Sequence, residues 1–260
     1  MKSFDEVNIL DTRFHKVTVD QLIDYTVEAA QLEKKTIVGN VNVRAMNFAY
    51  DLQWYRDFLN NADLVFCDGF GVLLGSKLLG YSVQSGHRMT APDFIEDLAL
   101  ACEKQNISLF LLAGSPGVVD KAITKLLSIA PRLRIQGHHG YFEKSGEEND
   151  SLIREINKFK PGILYVGFGM PMQERWILDN LSQIEARVFL PLGACLDFYT
   201  STMYRGPRWV TDCGFEWLTR FFTEPQRLWK RYIIGNPLFL YRIFRQRIAE
   251  GAMTKTQPNL

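Results

Sequence analysis

An α/β fold, with a mainly parallel Rossmann-like sheet and helices on both faces, is predicted by three features of this 260-residue sequence. Short, strongly apolar runs alternate with segments of helical period as far as about residue 200. Those runs are apolar along most of their length, as strands covered on both faces require. Several end in glycine-bearing turns, the usual form of short strand-to-helix loops.

Taken in order, residues 36–43 (TIVGNVNV) read as a strand and 44–61 (RAMNFAYDLQWYRDFLNN) as one helix, with Met46, Ala49, Tyr50, Leu52 and Phe58 at helical spacing. ADLVFCDG (62–69) is a strand, APDFIEDLALACEKQ (91–105) a helix, ISLFLLAG (107–114) a strand and PGVVDKAITKLLSIA (116–130) a helix. RIQGHHGYF (134–142), GILYVGFG (162–169) and RVFLPLGA (187–194) read as further strands, separated by helices at 147–159 and 171–186. Together 1–202 form one α/β domain. From about residue 203 strand signals stop. Residues 203–250 are helical, aromatic and basic, and Pro207, Pro225 and Pro237 divide them into about three helices. Residues 251–260 read as a frayed tail.

Hydrophobic residues make up 47% and charged residues 23%, an ordinary globular balance, so disorder is expected only at the ends. The net charge of +1 gives no reason to expect a nucleic-acid partner. Cys67, Cys102, Cys195 and Cys213 form no C-x-x-C pair, which disfavours a zinc or redox motif and suits reduced thiols in a cytoplasmic protein. The start, MKSFDEVNILDTRF, has no apolar core of a signal peptide, and no run reaches the roughly 18 apolar residues of a membrane span. Work at a membrane would be peripheral.

In open α/β sheets ligands bind beyond the carboxyl ends of the strands. The turns CDGFG (67–71), LAGSPG (112–117), GHHGY (137–141), VGFGMP (166–171) and PLGACLD (191–197) would therefore meet at one cleft. Asp68 stands at such an end, where partial burial would raise its pKa toward the range of a general base; an Asp there equally serves as a helix cap. Asn40 and Asn42 end the preceding strand and are either ligand-orienting amides or Asx-turn residues. Gly114, Ser115 and Gly117 open a helix whose free N–H groups suit a phosphate. Gly167 and Gly169 make half of a dinucleotide fingerprint, but Met172 stands where its third glycine belongs, so no nicotinamide cofactor is expected. Arg88 is suited to a diphosphate. His138 and His139, adjacent on a predicted strand, would point to opposite faces and share no metal. No Asp-x-Asp occurs, which points to diphosphate stabilisation without a metal.

The stretches VNVRAMNFA, NNADLVFCDGFGV, RMTAPDF, LFLLAGSPGVV, GHHGYF, YVGFGMPMQERWI, PLGACLDFYTSTMYRGP and GFEWLTRFFTEPQRLWKRY, in this order, resemble the WecG/TagA/CpsF family of bacterial glycosyltransferases. The resemblance spans about residues 7–248. It implies an inverting, metal-independent enzyme that moves a sugar from a UDP-sugar to a polyprenyl-diphosphate-linked saccharide in cell-surface polysaccharide synthesis, on the inner face of the plasma membrane. By motif position Asp68 matches the proposed base, Asn42 an active-site asparagine and Arg88 an arginine that stabilises the diphosphate. Asn40 falls where many members have threonine. Gln173 and Glu174 match a Gln-Glu pair. Gly69, Thr90, Gly140, Tyr141, Gly193 and Asp197 complete the expected substrate-binding set. The family's C-terminal appendage implies contact with an anionic membrane surface and an oligomer that dissociates there. Arg205, Arg227, Lys230, Arg231 and Arg245 are its expected membrane or diphosphate contacts, whereas Trp209, Phe215 and Trp217 are expected to pack. A nicotinamide-dependent sugar-modifying enzyme and a non-catalytic nucleotide-sugar adaptor are the competing readings.

Overall fold

The computed structural model describes residues 3–204, 206 and 216–255. The chain opens with an antiparallel hairpin, β1 (Glu6–Ile9) and β2 (Thr12–His15), whose tight turn places Leu10 and Asp11 at φ 50° and 57°. Six further strands form one parallel sheet: β3 (Thr36–Val41), β4 (Leu64–Cys67), β5 (Leu109–Ala113), β6 (Ile135–His138), β7 (Ile163–Gly167) and β8 (Val188–Pro191), in the order β4-β3-β8-β7-β5-β6.

Both faces are covered. On one lie α1 (Val19–Ala30), α5 (Ala91–Lys104), α6 (Val118–Ile129) and α9 (Cys195–Tyr199). On the other lie α2 (Val43–Asp51), α3 (Gln53–Asn61), α4 (Phe70–Leu78), α7 (Gly146–Phe159) and α8 (Met172–Asn180). Strand alternation then sends neighbours to different cores. In β5, Leu109, Leu111 and Ala113 enter the first core and Phe110 and Leu112 the second. Each of the Leu and Phe side chains contributes roughly 1.5–3 kcal/mol on burial, which is why the run is apolar throughout rather than alternating.

The pairing of β3 decides where a ligand fits. It runs beside β4 from Val38↔Leu64 to Val41↔Cys67, but beside β8 only at Thr36↔Val188 and Ile37↔Phe189. Beyond Ile37 the two strands part, and the Asn40 amide donates across the gap to the Pro191 carbonyl. Strand order also reverses here, since β4 lies outward of β3 while β5 lies beyond β8 and β7. A crevice at the carboxyl ends of such diverging strands is the general ligand site of open α/β sheets.

Several expectations are corrected. The segment 44–61 is two helices, because Leu52 is extended (φ −121°, ψ 107°). The strand expected over 134–142 ends at His138, where the chain turns so that the Gly140 N–H bonds the Gly114 carbonyl (2.8 Å). The helix expected over 171–186 is α8, which ends at Asn180. The hairpin, α1 and α4 were not anticipated.

At the C-terminus, α10 (Glu216–Thr223) and α11 (Pro225–Trp229) are followed by a π-helical turn, Lys230–Ile234, that runs into α12 (Gly235–Lys255). Pro225 starts a helix as expected, but Pro237 does not break one. It lies in the first turn of α12, just after the wider π turn in which the Gly235 N–H reaches back to the Lys230 carbonyl. Pro207, Trp209 and Phe215, with the side chain of Trp217, lie outside the described residues.

The α12 helix is docked on the α/β core. A Cβ at Gly75 of α4 would lie 2.9 Å from the Phe239 ring, so glycine is what lets the two helices touch. Buried Arg242 bonds the Asp51 carboxylate (2.5 Å) and the Asn47 side-chain oxygen (3.1 Å), and Asn47 in turn donates to the Gly235 carbonyl (2.8 Å). No described helix is long and apolar enough to cross a membrane.

Candidate active site

The crevice opens into a cavity of about 1190 Å³ bounded by the turns after β3, β4, β5, β6, β7 and β8 and by Leu228, Lys230, Arg231, Ile234, Gly235 and Leu238 from the C-terminal helices. It holds a hydrogen-bonded Asn42–Asp68 pair. Asn42 caps α2: its Oδ1 accepts from the N–H groups of Arg44 (3.0 Å) and Ala45 (3.1 Å). Backbone N–H groups can only donate, so the amide orientation is forced, and its Nδ2 donates to Asp68 Oδ2 (3.2 Å). The Asp68 N–H is tied to the Val41 carbonyl (2.8 Å). Asp68 is not the N-cap of α4; that position is Gly69.

The glycines of CDGFG explain how these turns meet. A Cβ on Gly69 would sit 2.9 Å from the Asn42 Cβ, and one on Gly71 would sit 2.5 Å from a Val43 methyl. Thr90, at the start of α5, also lines the cavity and donates to Asp93 (2.5 Å). Arg88 does not line it. A single parallel bridge holds its backbone against Cys67, one residue before Asp68.

The opposite rim is built differently. Gly114, Gly140, Tyr141, Gly167, Gly169, Gly193 and Asp197 line the cavity, whereas Ser115 and Gly117 do not. Three glycine N–H groups on this rim are already occupied. That of Gly140 bonds Gly114, and those of Gly169 and Gly193 both donate to Gln173 Oε1 (3.1 Å each). Gly193 is held from its other side by the Tyr165 hydroxyl, which donates to its carbonyl (2.8 Å). Gln173 and Glu174 themselves are buried (0% and 2% exposed) and lie behind the cavity wall, not on it.

Positive charge enters through side chains. Lys230 and Arg231 line the cavity, as do Arg44 and Lys144, which sequence reasoning missed. Arg44 is two residues past Asn42, so the cap that orients Asn42 also places Arg44 in the first turn beside it. Lys144 donates to the carbonyls of Gly140 (2.8 Å) and Phe142 (2.6 Å) and lies over the Phe142 ring (3.6 Å). Burial lowers its pKa. Arg245 lies away from the cavity, against the Tyr241 ring (6.0 Å). Arg205 and the side chain of Arg227 lie outside the described residues. His138 and His139 do not point apart: the strand ends between them, and their ring centres lie 4.3 Å apart with the planes tilted by 43°. Among the described residues no three His, Cys, Asp or Glu side chains cluster as a metal site would require.

A parallel α/β sheet with polar side chains gathered in the crevice of its switch point has the ligand-site arrangement of the open α/β class. Residues 7–252 match the model of the glycosyl transferase WecG/TagA/CpsF family, and the chain belongs to that family. It is a glycosyltransferase of that type. Among its relatives are N-acetylglucosaminyldiphosphoundecaprenol N-acetyl-beta-D-mannosaminyltransferases of Staphylococcus aureus strains NCTC 8325 and COL, each 27% identical over 248 residues and covering 93% of both chains.

Proposed function

We propose that this glycosyltransferase moves a sugar from a UDP-sugar to a polyprenyl-diphosphate-linked saccharide, by a single inverting displacement with Asp68 as base and without a metal ion. The observation that carries this reading is the Asn42–Asp68 pair at the sheet crevice. Asn42 fixes the plane of the carboxylate, so that Asp68 takes the proton of the acceptor hydroxyl as its oxygen attacks the anomeric carbon. The bond to UDP breaks on the opposite face. The charge developing on the diphosphate is met by Arg44, Lys144, Lys230 and Arg231, with Arg88 close behind β4. Tyr141, 72% exposed at the cavity rim, offers a ring face to the uracil. The names of the relatives favour an N-acetylmannosaminyl donor and an N-acetylglucosaminyl-diphosphate acceptor.

The C-terminal helices suit a place on the inner face of the plasma membrane. While Phe239 and Ile243 face the core, Trp229, Ile233, Ile234, Tyr241, Phe244 and Ile248 are exposed, with Arg245 and Arg247 among them. An apolar stripe flanked by arginines is the composition of an interfacial helix on an anionic bilayer.

The direct test is Asp68→Asn. Loss of a general base typically costs about 10²–10⁴-fold in turnover. UDP release in the presence of lipid-linked acceptor should fall by that order while UDP affinity is kept. Turnover like that of the wild type would remove Asp68 from the role.

A further inference from the structure

The buried Gln173–Glu174 pair does not line the cavity, yet it contacts two of the turns that shape the site. Gln173 Oε1 receives N–H groups from the turn after β7 (Gly169) and from the turn after β8 (Gly193). That orientation sends its Nε2 the other way, where it donates to Glu174 Oε1 (2.7 Å). Glu174 Oε2 and the Tyr55 hydroxyl are both buried, have no other hydrogen-bond partner and lie within each other's electrostatic reach, though short of a formed bond. Buried polar groups are costly to leave unpaired, so one line of side chains, Tyr55 to Glu174 to Gln173, ends on two cavity-lining glycines.

We propose that Glu174, backed by Tyr55 of α3, is a positioning residue that locks the Gln173 amide in the orientation bracing the Gly169 and Gly193 turns against each other. An acceptor at Glu174 is what the lock needs. Without it the amide loses its only partner on that side and is free to turn its NH₂ toward the glycine N–H groups, which repels them. Glu174 does not need to be charged for this. Burial pushes its carboxyl up to about 7, and the groups facing it are Tyr55, Gln173 and, at longer range, Arg44 of α2. The neighbouring strand β8 (VFLP) contributes only apolar side chains.

The test compares Glu174→Leu, Glu174→Gln and Tyr55→Phe with the wild type in two readouts. The first, amide hydrogen exchange at Gly169 and Gly193, does not depend on the proposed reaction. Glu174→Leu should speed exchange at both amides by about tenfold or more, while Glu174→Gln, which keeps an acceptor oxygen, should hold wild-type protection. The second readout is UDP release, whose interpretation rests on the function proposed above. Glu174→Leu should raise the KM for the donor by about tenfold or more, since the braced turns line the cavity, and Glu174→Gln should stay within about threefold of wild type. Tyr55→Phe should fall between them in both. If Glu174→Leu fails to fold, Tyr55→Phe carries the same comparison. Unchanged exchange in a folded Glu174→Leu or Tyr55→Phe protein overturns the proposal. So does Glu174→Gln behaving like Glu174→Leu, because the carboxyl would then act for its own sake. A wild-type enzyme that releases no UDP counts against the proposed reaction and leaves the exchange result standing.

Discussion

The two rims of the cavity use glycine for opposite ends. On the β3–β4 rim, Gly69 and Gly71 are small so that two turns can meet and bring the side chains of Asn42 and Asp68 together. On the β5–β8 rim, glycines line the wall themselves, and the N–H groups of Gly140, Gly169 and Gly193 are consumed by the protein's own acceptors. One rim therefore presents polar side chains and the other presents a braced shape. Glycine-rich turns around a crevice do not by themselves make an anion-binding site: the N–H groups have to be free, and at Gly140, Gly169 and Gly193 they are not.

The contrast breaks most sharply at Gly69. A Gly69→Val change should push Asn42 off Asp68 and lower turnover by about 10²-fold, the usual cost of a misplacement near 1 Å. Gly86→Ala, where a Cβ meets nothing within 4 Å, is the matched control and should change turnover little. Equal effects at the two sites, measured by steady-state kinetics, would end the account of the first rim. A smaller effect is expected at Gly75. Leucine there should displace Phe239, lift α12 from α4 and withdraw Lys230 and Arg231 from the cavity. The Kd for UDP should rise about tenfold, a loss of roughly 1.4 kcal/mol, as read by titration calorimetry. Unchanged affinity would mean that these two cations add nothing to the site.

The smallest effects are on stability and have opposite signs. Burial raises the folded pKa of Glu174 above its unfolded value, so its contribution is full below about pH 4.5 and is lost as pH rises toward about 7. Urea unfolding should show Glu174→Gln gaining on the wild type across that window, on the order of 2 kcal/mol. Burial lowers the pKa of His15, so its contribution is present above about pH 6.5 and is lost as pH falls. His15→Gln should remove that acid-side slope, and a slope that persists would assign it to other groups.

Much of this architecture can be read from the chain because its cause is local. Two-sided burial makes β4, β5 and β7 apolar throughout, and a strand-end Asp before two glycines marks the position of Asp68. What could not be read depends on distant partners. That the N-cap position of α4 falls on Gly69 and not on Asp68 could not be read from the chain. The break at Leu52 has no proline or glycine to announce it. The burial of Gln173 and Glu174, and the occupied N–H groups they explain, depend on turns from other strands closing over α8. Arg44 had no such local signal: residues two apart on a helix do not share a face, and its place at the cavity shows only in the folded chain.

The N-terminal hairpin bears on how copies of this chain can associate. His15 Nδ1 accepts the Val65 N–H (3.0 Å) and lies 3.3 Å from the Val65 carbonyl, so β2 masks the outer edge of β4 without extending the sheet in register. An open edge is a template for strand addition, and a buried imidazole in its place is a plug. Self-assembly by sheet continuation is therefore blocked on the Asp68 side of the molecule. A second copy meeting that side would therefore meet the hairpin rather than the bare edge of β4, and could come apart without unpairing the strand next to Asp68.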